Sequence, residues 1–268
     1  MKVKENAFVI SQEEIAPAIF DLRLAVSFAR DCVPGQFVSL YMDDRGFLLP
    51  RPISICEIGK ESIRLVYRIA GKGTLAFSQL KSHDKVEVMG PLGNGFPLEA
   101  ADGKKVALVG GGIGIPPMVS LGQALKARQD ESASGEESCA PTEITTVAGY
   151  RSETFLKEEM TACGRFLCAT EDGSAGTKGT VIDAMKADAL KADVMFACGP
   201  GPMLRALKTY AEERDIELYV SLEEKMACGI GACLGCVCQS QEVDSHSHVH
   251  NKRICKDGPV FNARDVVI

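Results

Sequence analysis

The chain has 268 residues, of which 46% are hydrophobic and 25% charged, and these globular proportions exclude a disordered or fibrous chain. A net charge of -6 leaves no electrostatic footprint for a polyanion, so nucleic acid is not an expected partner.

Met1 to Asn6 is polar and leads into no apolar h-region, so no secretory signal is visible and a cytoplasmic protein is expected. The most apolar stretch, Val106 to Leu121, is interrupted by four glycines and two prolines and is too short for a bilayer span, so no membrane partner is expected. Eleven cysteines in the cytoplasm would stay reduced, so their clustering points to a metal rather than to disulfides.

In chain order, Val3 to about Met89 reads as short β segments between turn residues. Ile63, Leu65, Tyr67 and Ile69 alternate with Arg64, Val66 and Arg68, which predicts a strand with one buried face. Several such strands without long helices predict a small antiparallel barrel. Pro91, Gly93, Gly95 and Pro97 break the pattern, and Glu99 to Lys105 reads as a polar connection.

Beyond Lys105 the rhythm becomes strand, loop, helix, strand. Strands are predicted at Val106 to Val109, Ile144 to Gly149, Phe166 to Ala169, Val194 to Ala197 and Glu217 to Ser221, with helices at Pro117 to Arg128 and Pro202 to Arg214. Such alternation argues for a parallel sheet covered on both faces. Gln129 to Glu143, rich in Ser and Glu, reads as an extended surface loop in which Cys139 is incidental. From Ser221 onward a cysteine and glycine loop precedes a polar hairpin. The expected fold is therefore a β barrel plus α/β, with an antiparallel barrel over residues 1–100, a parallel-sheet nucleotide-binding domain over 101–220 and a cluster-binding segment over 221–268.

The sharpest motif is Cys228-Gly229-Ile230-Gly231-Ala232-Cys233-Leu234-Gly235-Cys236 with Cys255 further on. This C-x4-C-x2-C spacing with a distant fourth cysteine is that of plant-type 2Fe-2S clusters. Small residues let backbone N–H groups point at the anionic sulfurs while the chain wraps closely round them. Structural zinc also accepts four cysteines but usually takes them as two C-x2-C knuckles. Cys238 is ambiguous, since it could stand in for Cys255. His246, His248 and His250 alternate and could catch a metal, but no other ligand is nearby in sequence and a solvated hairpin face is the favoured reading.

Two glycine loops each follow a strand and open a helix: Val109-Gly110-Gly111-Gly112-Ile113-Gly114 and Cys198-Gly199-Pro200-Gly201-Pro202-Met203. Both would lie at the carboxyl edge of one sheet, where ligands bind in open α/β folds and free N–H groups favour anions. Arg51-Pro52-Ile53-Ser54 and Gly71-Lys72-Gly73-Thr74 add an arginine fork and a Gly-Thr pair suited to phosphate. Tight turns and a solvated arginine are the simpler reading of each stretch alone. No nucleophile elbow or H-E-x-x-H is present, so hydrolytic chemistry has no support.

Together these motifs resemble ferredoxin-NADP reductase relatives, and the cluster segment makes the chain most similar to the electron transfer subunits of class 1B dihydroorotate dehydrogenases. Ser221 to Cys233 and Cys255 to Phe261 carry most of that resemblance. It implies a flavin-binding barrel, an NAD-binding domain and a cluster that faces an FMN-containing dihydroorotate dehydrogenase catalytic subunit, in a heterotetramer with two of each. By the same resemblance Arg51 and Thr74 hold FAD phosphates beside Gly73, Ser54 and its neighbours Pro52 and Ile53 sit by the flavin, and Arg68, Ile69 and Ala70 line its site. Gly111, Gly112 and Gly114, with Cys198, Gly199 and Pro200, border NAD, and Ser54 and Cys198 take the catalytic positions. Cys228, Cys233, Cys236 and Cys255 ligate the cluster. The implied role is electron transfer to NAD in pyrimidine biosynthesis. A diaphorase subunit of another flavin-based ferredoxin-NAD(P) or sulfide or sulfur oxidoreductase is the alternative, and Arg151 leaves NADP open.

Overall fold

A computed structural model of the chain describes residues 2–42, 48–133, 142–243 and 248–268. The chain folds as two compact units, one of residues 1–95 with 223–260 and one of 96–222 with 261–268.

Six strands close the barrel of the first unit: β1 (Val3–Ala16), β2 (Ile19–Ala25), β3 (Phe37–Tyr41), β4 (Arg51–Ile58), β5 (Ser62–Arg68) and β6 (Lys85–Leu92). Their order round the barrel is β1-β2-β5-β4-β3-β6, and all the pairs are antiparallel. Leu22, Leu24, Val38, Leu40, Ile55, Leu65 and Tyr67 fill the interior, as the two-residue period of a strand requires. Complete burial of a Leu-sized side chain contributes about 1.5–3 kcal/mol. A short helix, α1 (Lys72–Phe77), seals one end with Phe77.

The barrel departs from the sequence expectation in two ways. β1 is a single 14-residue strand rather than a short one, and register shifts at Val9/Ser11 and Glu14/Ala16 let it bend round the barrel. β5 is buried on both faces: Arg64 is 8% and Val66 2% exposed. Arg64 tolerates burial because its Nη2 meets Asp21 Oδ2 at 2.7 Å and its Nη1 meets Glu57 at 3.4 Å.

The second unit is built on β7 (Lys105–Gly111), β8 (Glu143–Tyr150), β9 (Arg165–Thr170), β10 (Thr177–Lys178), β11 (Val194–Cys198) and β12 (Glu217–Ser221). With β15 (Val260–Asn262) at its edge, the sheet order is β10-β9-β8-β7-β11-β12-β15, parallel from β10 across to β12. Helices α2 (Ile115–Ala133), α3 (Lys157–Cys163), α4 (Val181–Ala187) and α5 (Gly201–Glu212) connect the strands. α2 buries Met118, Val119, Leu121 and Leu125, and α5 buries Leu204, Leu207, Tyr210 and Ala211, the stripes that a 3.6-residue period places on one face.

The predicted strands and both predicted helices are present. The Gln129 to Glu143 loop is not a loop throughout, because α2 continues to Ala133 and β8 begins at Glu143. Ser and Glu tolerate a helical surface turn, which composition alone does not distinguish from a loop. Cys139, in the remainder, and His246 lie outside the described residues. Past β12 come the hairpin strands β13 (Val237–Gln239) and β14 (Asn251–Arg253), then β15 (Val260–Asn262). Among the described residues no helix is long and apolar enough to cross a membrane.

Candidate functional site

Antiparallel pairing carries the start of β4 and the end of β5 to the same end of the barrel, so Arg51, Pro52, Ile53 and Ser54 lie with Arg68, Ile69 and Ala70. Ile53 packs against the barrel core, whereas Pro52 and Ser54 project from the opposite face of the strand. The Arg51 guanidinium lies over Gly73: a Cβ added there would stand 2.5 Å from Nε and 2.8 Å from Cζ. Arg51 also donates to the Leu49 carbonyl.

Thr74 is 8% exposed, and its hydroxyl is committed to its own turn. Oγ1 accepts from the N–H of Ala70 at 2.8 Å and of Gly71 at 3.2 Å, and donates to the Gly71 carbonyl at 3.1 Å. It thus fixes the loop that presents Ala70 and Gly71. This end of the barrel offers a guanidinium over a glycine turn, which fits a phosphate. Sequence reasoning passed over Glu223, whose carboxyl desolvation raises above the usual range against the pull of Arg68.

In the second unit β7 and β11 are neighbours, with Gly110 opposite Cys198, and the strand order reverses there. Ligands of open α/β sheets bind at such a switch point. The two glycine loops pack on one another. A Cβ on Gly199 would meet Met203 Cε at 2.5 Å and Gly111 Cα at 3.2 Å, and one on Gly114 would run into the Cys198 carbonyl. Packing alone therefore calls for glycine at 114. Gly112 is different, with a φ of +52° and open space where its side chain would be, so backbone is presented outward there. Cys198 is 1% exposed and forms the floor of these loops rather than their surface, while Pro200 is exposed at the start of α5.

The cysteine segment brings its sulfurs together in two pairs, Cys228 with Cys233 and Cys236 with Cys255. The N–H of Ala232 donates to Cys228 Sγ at 3.3 Å, and that of Cys255 to Cys236 Sγ at 3.4 Å. Burial pushes the Cys228 thiol up, but the N–H groups of Ile230, Cys233 and Ala232, with the Cys233 side chain, bring it down to about 6. Cys255 is pushed up to about 12 by burial first and then by its hydrogen bond to Cys236, against the N–H of Gly231. Backbone donors of the loop therefore converge on the sulfurs of Cys228 and Cys255, an arrangement that suits an anionic cluster.

Cys236 and Cys255 are buried, Cys228 is half-buried and Cys233 is exposed. Among the described residues no three or more His, Cys, Asp or Glu side chains are drawn in as a single-ion site. Cys238, on β13, is raised chiefly by burial and accepts from the N–H of Lys252 across the hairpin. His248 is exposed, and a His250 ring nitrogen lies 3.0 Å from the Gln241 carbonyl.

The loop rests on the outer face of β3, which sequence reasoning missed. Tyr41 is raised chiefly by burial, with Lys4 opposing and Glu87 and then Cys228 adding, and its hydroxyl donates to Met89 Sδ at 3.9 Å. An alternating β3 with two polar outer residues, Ser39 and Tyr41, was the available signal.

Residues 223–267 match the family described as the iron-sulfur cluster binding domain of dihydroorotate dehydrogenase B. The chain is 41% identical over 272 residues to the dihydroorotate dehydrogenase B (NAD(+)) electron transfer subunit of Bacillus caldolyticus, covering 99% of each. It is 37% identical over 267 residues to the protein of that name from Caldanaerobacter subterraneus, covering all of both. Among solved structures, a chain of an NADH-dependent reduced ferredoxin-NADP oxidoreductase superposes with a TM-score of 0.82 at 29% identity, covering 97% of this chain and 89% of that one.

Proposed function

The chain belongs to the family of dihydroorotate dehydrogenase B (NAD(+)) electron transfer subunits, and from that membership we propose that it relays electrons from a dihydroorotate dehydrogenase catalytic subunit to NAD in pyrimidine biosynthesis. The observation that carries this reading is that the four-cysteine loop and the guanidinium-over-glycine turn belong to one compact unit. When bound, a 2Fe-2S cluster supplies one-electron transfer, and FAD couples single electrons to two-electron hydride exchange with NAD.

The chain's own residues do the holding and the tuning. Cys228, Cys233, Cys236 and Cys255 would provide four thiolates, and the N–H groups of residues 230–233 would stabilise negative charge on Cys228 and Cys255. Arg51 would offset the charge of the FAD phosphates, Thr74 would keep the Ala70 and Gly71 turn in place for them, and Pro52 and Ser54, on the outer face of β4, would hold the flavin with the Arg68 to Ala70 edge while Ile53 supports the strand from the barrel core. At NAD, Gly112 offers close backbone approach. Gly111, Gly114 and Gly199 allow the two loops to interlock, with Pro200 at their rim and Cys198 as their floor. In functional terms residues 1–100 hold FAD, 101–220 hold NAD and 221–268 hold the cluster.

Exposed Ile230, Leu234 and Val237, at 44%, 50% and 39%, give the cluster loop an apolar rim on which an FMN-containing catalytic subunit docks, in a cytoplasmic heterotetramer of two copies of each. A diaphorase subunit of another flavin-based oxidoreductase is the second reading, favoured by the superposition on the ferredoxin-NADP oxidoreductase chain.

The test is a low-temperature EPR spectrum of the anaerobic, FAD-saturated chain before and after NADH. A reduced 2Fe-2S signal appearing on NADH addition is the expected result. A cluster that dithionite reduces and NADH does not would overturn the nicotinamide or flavin assignment.

A further inference from the structure

Ser39 lies on β3 with its side chain on the outer face, since Val38 and Leu40 on either side point into the barrel core. It is 0% exposed, and its hydroxyl has no hydrogen-bond partner among the described residues. A buried hydroxyl left in that state costs about 1–3 kcal/mol, so such groups normally have an acceptor.

The surroundings say where that acceptor lies. Gly229, next to Cys228, has a φ of +69°, and a Cβ on it would stand 3.1 Å from Ser39 Oγ, 3.4 Å from Leu92 Cδ1 and 3.5 Å from Met89 Cε. Only glycine brings the cysteine loop this close to the barrel wall. Tyr41, two residues along the same face as Ser39, feels the charge of Cys228. A bridging water needs two to four polar partners, and the side chains beside Ser39 Oγ are Leu92, which has none, and Met89, whose weakly accepting Sδ already takes the Tyr41 hydroxyl.

We propose that the Ser39 hydroxyl donates a hydrogen bond to a sulfur at the Cys228 end of the 2Fe-2S cluster, making Ser39 a positioning and potential-setting residue contributed by the barrel. The inference rests on the cluster assignment above. Such a donor stabilises the more negative, reduced cluster and so raises its potential. It also gives the barrel a direct electrostatic connection to the cluster loop, in addition to the loop's own N–H groups.

The experiment is an EPR-monitored redox titration of the full chain carrying FAD and cluster, with hyperfine spectra of exchangeable protons recorded before and after transfer to D2O. Wild type is compared with Ser39→Ala and Ser39→Thr. A lower midpoint potential and loss of one exchangeable proton coupling in Ser39→Ala, with both wild-type properties retained in Ser39→Thr, are expected. An unchanged potential and proton spectrum in Ser39→Ala at equal cluster content would overturn the inference alone, as would loss of the cluster from both variants, which marks a packing role. A wild-type chain with no 2Fe-2S signal under dithionite would overturn the functional reading and the inference with it.

Discussion

The backbone N–H of Cys255 donates to Cys236 Sγ at 3.4 Å, although nineteen positions separate the two residues in sequence. Cys238, only two residues from Cys236, accepts instead from Lys252 on the other strand of the hairpin. Cys255→Ala is therefore expected to abolish cluster retention and Cys238→Ala to leave it intact, measured as iron and acid-labile sulfide per chain. Equal loss in both variants would count against this assignment.

The two glycine loops of the second unit separate two kinds of glycine. In Gly114→Ala the new methyl collides with the Cys198 carbonyl, so overpacking should cost about 1–3 kcal/mol and lower Tm. Gly112→Ala meets open space and bears only left-handed strain, about 1–2 kcal/mol. Its expected effect is on binding: KM for NADH in dye reduction should rise about tenfold, equivalent to roughly 1.4 kcal/mol, the scale of one charge-assisted hydrogen bond.

Arg51→Ala removes the guanidinium above Gly73. Loss of about 1.5–3 kcal/mol of charge-assisted bonding should weaken FAD by roughly ten- to a hundredfold in equilibrium dialysis. Arg51→Lys should recover only part of that, since an ammonium lacks the planar fork. Unchanged FAD affinity in both would place the phosphates elsewhere.

Arg64 and Asp21 form an ion pair at 2.7 Å, with both side chains under 10% exposed. Arg64→Met strands the Asp21 carboxylate and should cost about 3–5 kcal/mol in chemical denaturation, whereas Arg64→Met with Asp21→Leu should recover most of it.

Alkaline stability follows from buried thiols outside the cysteine loop. Burial raises Cys163 from 9.0 to about 11, with Lys126 opposing and Glu159 adding, and burial and Asp31 raise Cys32 to about 12. For groups raised on folding, the stability is complete below the unfolded value near 9 and is lost as pH rises through 11 to 12, at about 1.4 kcal/mol per unit. Tm should therefore decline above pH 9, less steeply in Cys163→Ala. Identical slopes would show that this thiol does not govern the alkaline limb.

Much of the fold is legible in the sequence because periodicity is a local property. Ile63, Leu65 and Tyr67 mark β5, and the apolar spacing of Leu204, Leu207 and Ala211 marks α5, whatever the rest of the chain does. The cysteine spacing is equally local, since a C-x4-C-x2-C loop and its glycines restrict the chemistry before any packing is known. The burial of Arg64 was not legible, because it depends on Asp21 and Glu57, which reach it from other strands.

By itself, then, the sequence determined the kinds of element, the order of the glycine loops and the spacing of the clustered cysteines. The tertiary structure decided that residues 223–260 belong to the barrel's unit, that Cys255 lies beside Cys236, that Cys198 is a floor and that Ser39 lies beneath Gly229. The reason is physical: a side chain's type and its period along the chain are fixed residue by residue, whereas its partner is fixed only when distant strands close on one another and leave each buried polar group a single place to turn.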